Sequence, residues 1–91
     1  ITNKMKQIQQ MTLAAEQASQ LLQAQNLQLV TAESCTGGLI GAVCTELAGS
    51  SAWFFGGVMS YANEAKERAL GVRPTTLAAH GAVSEATVRE M

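Results

Sequence analysis

Residues 4–25 carry the longest periodic stretch of the chain, with Ile8, Met11, Ala15, Ala18 and Leu22 recurring at alternating steps of three and four. That spacing lines one face of an α-helix, and Gln7, Gln10, Gln17, Gln20 and Gln25 fill the opposite one. The stripe predicts a helix packed on a sheet, with a coiled-coil or partner-binding helix as the functional alternative. Asn26 suits the end of this helix, because asparagine tolerates the left-handed backbone found there. Residues 27–32 lean apolar and read as a first strand. Residues 39–48 read as a helix apolar on nearly every face, the pattern of a helix buried against a sheet. Gly41 inside it costs about 1 kcal/mol relative to alanine, so close packing is its expected reason. Gly49 stops it.

Residues 53–61 supply a second strand, broken by Gly56-Gly57. A glycine pair in a strand marks a bulge or a spot where another backbone or a ligand comes close, and a bulge is the first reading. Asn63 is the expected N-cap of a short helix over 64–70, with Gly71 as its stop. Pro74 opens one helical turn at its first position, reaching about residue 79, and Gly81 closes it. Ser84 caps a last helix with Glu85 in its first turn. The result is a strand-helix-strand unit with flanking helices and room for a third strand at Ala82-Val83. This is a layered α/β arrangement, and so small a sheet is marginal in isolation.

Composition narrows the function classes. A chain of 91 residues is one domain at most, and at this size it buries roughly 60 to 65% of the surface its unfolded form exposes. Apolar residues make up 47% and charged residues 14%, with a net charge of -1 and six scattered basic residues. Neither a disordered tail nor an electrostatic binder of nucleic acid fits that balance. No apolar run approaches the roughly 18 residues that cross a bilayer, and Lys4, Lys6 and Glu16 do not frame a signal peptide. A cytoplasmic protein without membrane contact is expected. Cys35 and Cys44 have no CxxC spacing and His80 is the only histidine, which argues against zinc. Aspartate is absent, removing the commonest magnesium and calcium ligand. The chemistry is expected to need neither metal nor cofactor.

The stretch with chemical content is Ala32-Glu33-Ser34-Cys35-Thr36-Gly37-Gly38, between the first strand and the helix that follows. Small hydroxyls and paired glycines at a strand-to-helix turn direct backbone N–H groups at whatever lies beside it, a setting for an oxyanion or a phosphate. Ser34 is the candidate nucleophile, with the N–H groups of Gly37 and Gly38 as oxyanion donors, each worth about 2.7 to 4 kcal/mol in known cases. Read from spacing alone, Ser34 or Thr36 serves equally as a helix cap. Lys66 is a better candidate base than His80, which lies beside an ordinary turn. With Asn63 as N-cap, Lys66 is the third residue of its helix, where the positive end of the macrodipole disfavours a second positive charge. A neutral lysine can take a serine proton, and Ser-Lys is a known variant of the catalytic triad. Tyr61 could relay that proton, or stand as a strand aromatic with its hydroxyl in water. Lys66 is likewise open to being a solvated helix lysine. Glu33 either orients a partner or faces solvent. Ser50 and Ser51 form either a small anion nest for a phosphate or a turn cap. Cys35, beside a helix N-terminus but without a histidine partner, reads as a packed small hydrophobe.

Taken in order, residues 31–38, Ala48-Gly49-Ser50-Ser51, Tyr61-Ala62-Asn63-Glu64-Ala65-Lys66, Leu70-Gly71-Val72 and His80-Gly81-Ala82-Val83-Ser84 resemble the CinA C-terminal domain family. The resemblance runs from about residue 29 to Met91, and is strongest to the family's stand-alone nicotinamide-nucleotide amidases. It implies an α/β/α sandwich, and a catalytic centre of Ser34, Tyr61 and Lys66, all present without substitution. Glu33, Thr36, Gly37, Gly38, Ser50, Ser51 and Asn63 are the expected substrate-binding groups. The implied reaction deamidates nicotinamide mononucleotide to nicotinate mononucleotide and ammonia. The alternative is a catalytically incomplete, competence- or damage-inducible interaction module. The family has roughly as much chain again, with further strands and a glycine-rich motif carrying a Thr and an Arg. Residues 1–91 are therefore expected to be one partial domain, a helix over 1–26 and a motif-bearing part over 27–91. So small a core is expected to pair as a homodimer, through the first helix or an open sheet edge.

Overall fold

A computed structural model describes residues 3–91. The elements run α1 (Asn3–Ala24), β1 (Leu29–Glu33), α2 (Leu39–Glu46), a 3-10 turn (Ser50–Ala52), β2 (Phe54–Met59), α3 (Asn63–Leu70), α4 (Pro74–His80) and α5 (Glu85–Glu90). The two strands pair in one parallel sheet, giving the mixed α/β class the sequence predicts. The chain forms two compact units, one comprising residues up to Thr31 with Gly38–Gly57, the other Ala32–Gly37 with Val58–Met91.

The first unit has the apolar core. Ala15 from α1, Val43 and Cys44 from α2, and Trp53 are buried, with Met11, Leu22, Leu29, Leu39, Leu47 and Phe54 packed around them. Ile8, Met11, Ala15, Ala18 and Leu22 are all buried or half-buried in α1, as the periodic stripe requires, with Thr12 and Ser19 half-buried beside them. Asn26 takes a positive φ of 54°, and the Leu27 N–H reaches back to the Leu22 carbonyl at 2.8 Å, closing the helix end. An open groove of about 240 Å³ runs between the small residues Ala14, Ala15 and Ala18 and the side chains of Ile40, Val43 and Cys44. The core is thin, as the chain length implies.

Gly56-Gly57 mark a bulge. Leu29 N–H bonds the Trp53 carbonyl at 2.7 Å, so an even ladder would give the Glu33 carbonyl the N–H of Met59. It takes that of Ser60 instead, at 2.8 Å, one residue late. Gly56 absorbs the extra residue with φ 150°, and a Cβ on Gly57 would run into the hydroxyl of Thr31 and stand 2.8 Å from its carbonyl oxygen.

The interior of the second unit is mostly polar. Val72 is its one buried hydrophobe among the described residues, beside buried Glu33, Ser60, Lys66, Thr76 and Thr87. Each polar group therefore needs a partner inside the unit. Thr87 donates its hydroxyl to the Gly81 carbonyl at 2.7 Å, and Ser84 accepts the Thr87 N–H at 3.2 Å, so Ser84 caps α5 as its position predicts.

Two expectations are corrected. Ala82-Val83 form no strand: the Gly81 carbonyl ahead of them accepts both the Ser84 and Thr87 hydroxyls, which holds the segment as the cap of α5. The N-cap of α3 is Ala62 rather than Asn63, with no side-chain cap bond. The chain leaves β2 extended through Ala62, so Asn63 is already the first helical residue and Lys66 the fourth.

Candidate active site

In the second unit, the end of β1 and its following turn are brought to the end of β2 and the start of α3. Glu33 is buried at the last position of β1, and its carboxylate accepts the Thr36 hydroxyl at 2.8 Å. That bond spans the turn, so Ser34 and Cys35 are braced between a strand residue and a hydroxyl three positions on. Ser34 itself is half-buried, and Cys35 is exposed rather than the packed small hydrophobe its sequence reading expects. Gly37 turns the chain with φ 68° and Gly38 continues with φ 89° as the N-cap of α2. Two successive left-handed residues are accessible to glycine at little cost, which is why the turn ends on a glycine pair.

Ser60 anchors the opposite side. It is fully buried, its N–H donating to the Glu33 carbonyl at 2.8 Å and its hydroxyl to the same oxygen at 3.3 Å. Sequence reasoning passed over Ser60. The signal available was a small polar residue between a strand and the Tyr61 motif, where an apolar residue would have extended the strand.

Lys66 is 1% exposed. Its side-chain nitrogen Nζ donates to the Tyr61 carbonyl at 2.7 Å, and the Val72 N–H caps its own carbonyl at 3.1 Å. A buried lysine is costly unless held by acceptors, so a solvated helix lysine is not what the structure has. The contact to Tyr61 is through the backbone, while the tyrosine ring is 77% exposed. Asn63 is exposed at the start of α3. The sequence-predicted groups Glu33, Ser34, Thr36, Gly37, Tyr61, Asn63 and Lys66 thus share the second unit.

Gly38, Ser50 and Ser51 belong to the first unit. There the N–H groups of Ser50, Ala52 and Trp53 bond to the carbonyls of Leu47, Gly49 and Ser50 at 3.0 to 3.2 Å. Those donors close the 3-10 turn, which favours the turn reading of Ser50 and Ser51 over an anion nest.

A parallel strand pair whose first strand ends in a glycine-braced serine turn, with a buried lysine on the helix after the second strand, defines a small domain of the α/β class. Residues 11–91 match the CinA C-terminal domain, and the chain belongs to that family. It is 56% identical to the nicotinamide-nucleotide amidohydrolase PncC of Escherichia coli strain K12, over 85% of this chain and 47% of that protein. It is 58% identical to a CinA-like protein of Chloroherpeton thalassium, over 84% of this chain and 18% of the other. Among solved structures, the competence/damage inducible protein CihA from Agrobacterium tumefaciens superposes with a TM-score of 0.86 and 43% identity, over 89% of this chain and 49% of that one. The chain spans about half the length of the E. coli enzyme and of the solved neighbour.

Proposed function

We propose that this chain carries the nucleophile half of an amidase site that hydrolyses the carboxamide of nicotinamide mononucleotide to the acid and ammonia. The observation that carries the reading is Lys66, a lysine sealed from water in the same unit as the braced Ser34 turn. The 56% identity over 77 residues to a nicotinamide-nucleotide amidohydrolase supports the substrate class. The reaction belongs to cytoplasmic recycling of pyridine nucleotides. Among the described residues no helix is long and apolar enough to cross a membrane.

In this reading the Ser34 hydroxyl attacks the amide carbon while its proton passes to Lys66 acting as general base. The bond from Nζ to the Tyr61 carbonyl fixes where that nitrogen sits. The tetrahedral oxyanion is met by backbone N–H groups of the glycine turn. Lys66 then returns the proton to the departing nitrogen, ammonia leaves, and water hydrolyses the acyl-serine by the same steps. Tyr61, with its ring in solvent, meets the substrate in this reading rather than holding Lys66 by its hydroxyl.

The test is a chimera in which this chain replaces the 77 matching residues of E. coli PncC, assayed for ammonia release from nicotinamide mononucleotide. Release is expected, with Ser34→Ala lowering the rate by about 10³-fold or more while nucleotide binding persists. Undiminished turnover by Ser34→Ala would remove serine from the mechanism. The match to only part of each relative also favours a second reading, a non-catalytic interaction module, and a folded chimera that releases no ammonia would leave that one standing.

A further inference from the structure

One buried side chain lies on the path between the serine turn and the lysine. Ser60 is the first residue past β2 and is 1% exposed. Its N–H and its hydroxyl both donate to the Glu33 carbonyl, at 2.8 and 3.3 Å, so both lone pairs of that oxygen are engaged. The Glu33 carbonyl belongs to the planar peptide group that leads into Ser34, and holding it fixes the direction in which the serine turn departs. On its other side Ser60 shares a peptide group with Tyr61, whose carbonyl accepts Lys66 Nζ at 2.7 Å. Glu33, Ser34, Ser60, Tyr61 and Lys66 are all in the second unit. Two rigid peptide groups and three hydrogen bonds therefore connect the serine to the lysine, and Ser60 is the residue in the middle.

Burial alone does not call for serine here. Alanine would keep the backbone N–H bond to Glu33 and spare the cost of burying a hydroxyl. What the hydroxyl adds is a second donor on one oxygen, which holds that carbonyl against turning where a single bond would leave a pivot. A nucleophile and its base tolerate little such freedom, since a misplacement of about 1 Å costs on the order of 10²-fold in rate. We propose that Ser60 is a positioning residue for the amidase site: it locks the Ser34 turn and the Tyr61 carbonyl, and through that carbonyl Lys66, into one arrangement. It touches neither substrate nor the reacting atoms. Its effect on rate rests on the amidase reading, whereas the tie from Ser60 to Lys66 rests on the hydrogen bonds alone.

Two measurements test this, one that needs the reaction and one that does not. In the 91-residue chain, acetylation of each lysine by N-hydroxysuccinimidyl acetate is followed by mass spectrometry, with the exposed Lys4 and Lys6 as internal references. Ser60→Ala, with its circular dichroism unchanged, should raise the Lys66 rate about fivefold, the effect of one lost hydrogen bond on a local opening. Thr87→Val controls for burial: it removes another fully buried hydroxyl from the same unit, one that donates to the Gly81 carbonyl at 2.7 Å, and should leave Lys66 sealed. In the chimera with E. coli PncC, Ser60→Ala should lower kcat for ammonia release about tenfold with KM within about twofold, and Ser60→Thr, which keeps the hydroxyl, should restore most of the rate. Lys66 acetylation unmoved by Ser60→Ala, or raised equally by Thr87→Val, would overturn the proposal. So would faster acetylation with kcat unaltered, or a KM that rises in step with the loss of rate. A wild-type chimera that releases no ammonia, while Ser60→Ala still unseals Lys66, would support the tie and count against the amidase reading alone.

Discussion

Among single residues, Glu90 ties the second unit together with the most bonds. Its carboxylate accepts the Arg73 N–H at 2.9 Å, the guanidinium at 2.9 and 3.3 Å, and the Thr76 hydroxyl at 2.6 Å. A side chain on α5 thereby satisfies the start of α4, where Pro74 leaves few donors to cap. The Arg73 side-chain bonds, then the Arg73 N–H and the Thr76 hydroxyl, pull the Glu90 carboxyl down from 4.5 to about 2. A depressed folded value means that the ionised group stabilises the fold above the unfolded value and stops doing so as pH falls through the folded one. Stability should therefore decline as pH drops from about 4.5 to about 2. Glu90→Gln should be less stable at neutral pH and flatter across that window, as read by thermal melts at stepped pH. A wild-type slope unchanged in the variant would assign the acid sensitivity to another carboxylate. Salt should weaken the effect only partly, because the hydrogen bonds from Thr76 and the Arg73 backbone do not depend on a second charge.

At the scale of elements, the apolar periodicity of α1 was legible residue by residue, because a stripe on a long helix is repeated enough to survive local exceptions. Ser84, Pro74 and Asn26 likewise did what their backbone chemistry dictates. The cap of α3 was misread because Asn63 is a good cap by type, whereas the direction in which the chain leaves β2 decides which residue is still extended. Ala82-Val83 misled for a related reason: two small apolar residues resemble a strand until the hydroxyls of Ser84 and Thr87 claim the carbonyl before them. In the site, the serine turn and the lysine were visible as motif residues. What no spacing revealed was that a backbone carbonyl would hold Lys66, or that Ser60 would clamp the Glu33 carbonyl. The pairing of α1 with α2 is improvable in a defined way. Ala14 is exposed at the rim of the apolar groove between them, so Ala14→Leu should fill part of it and add about 0.5 to 2 kcal/mol. For a domain of this size, each 1 kcal/mol is about 4 to 8 °C in the melting midpoint. A lowered midpoint would mean that the groove closes in solution and has no room.

For the whole molecule, stability rests on few apolar contacts. A chain of this length has about 5 to 14 kcal/mol of stability at most, from roughly 0.05 to 0.15 kcal/mol per residue, and a sheet bare on one side puts it at the lower end. Trp53 is the largest fully buried side chain, meeting Phe54 edge-on with ring centroids 6.2 Å apart and joining the cluster of Ala15, Val43 and Cys44. Removing such a ring costs about 3 to 5 kcal/mol through lost burial and the cavity left behind, most of what the isolated chain has. Trp53→Ala should therefore be largely unfolded at 25 °C by far-ultraviolet circular dichroism. Phe55→Ala removes a ring of similar size from the bare face and should cost within about 0.5 kcal/mol, as surface substitutions do. The contrast between two aromatic residues two positions apart in the chain isolates burial from size. Equal costs for the two in the isolated chain would show that the sheet's outer face is already covered, by a second copy or by a rearranged α1.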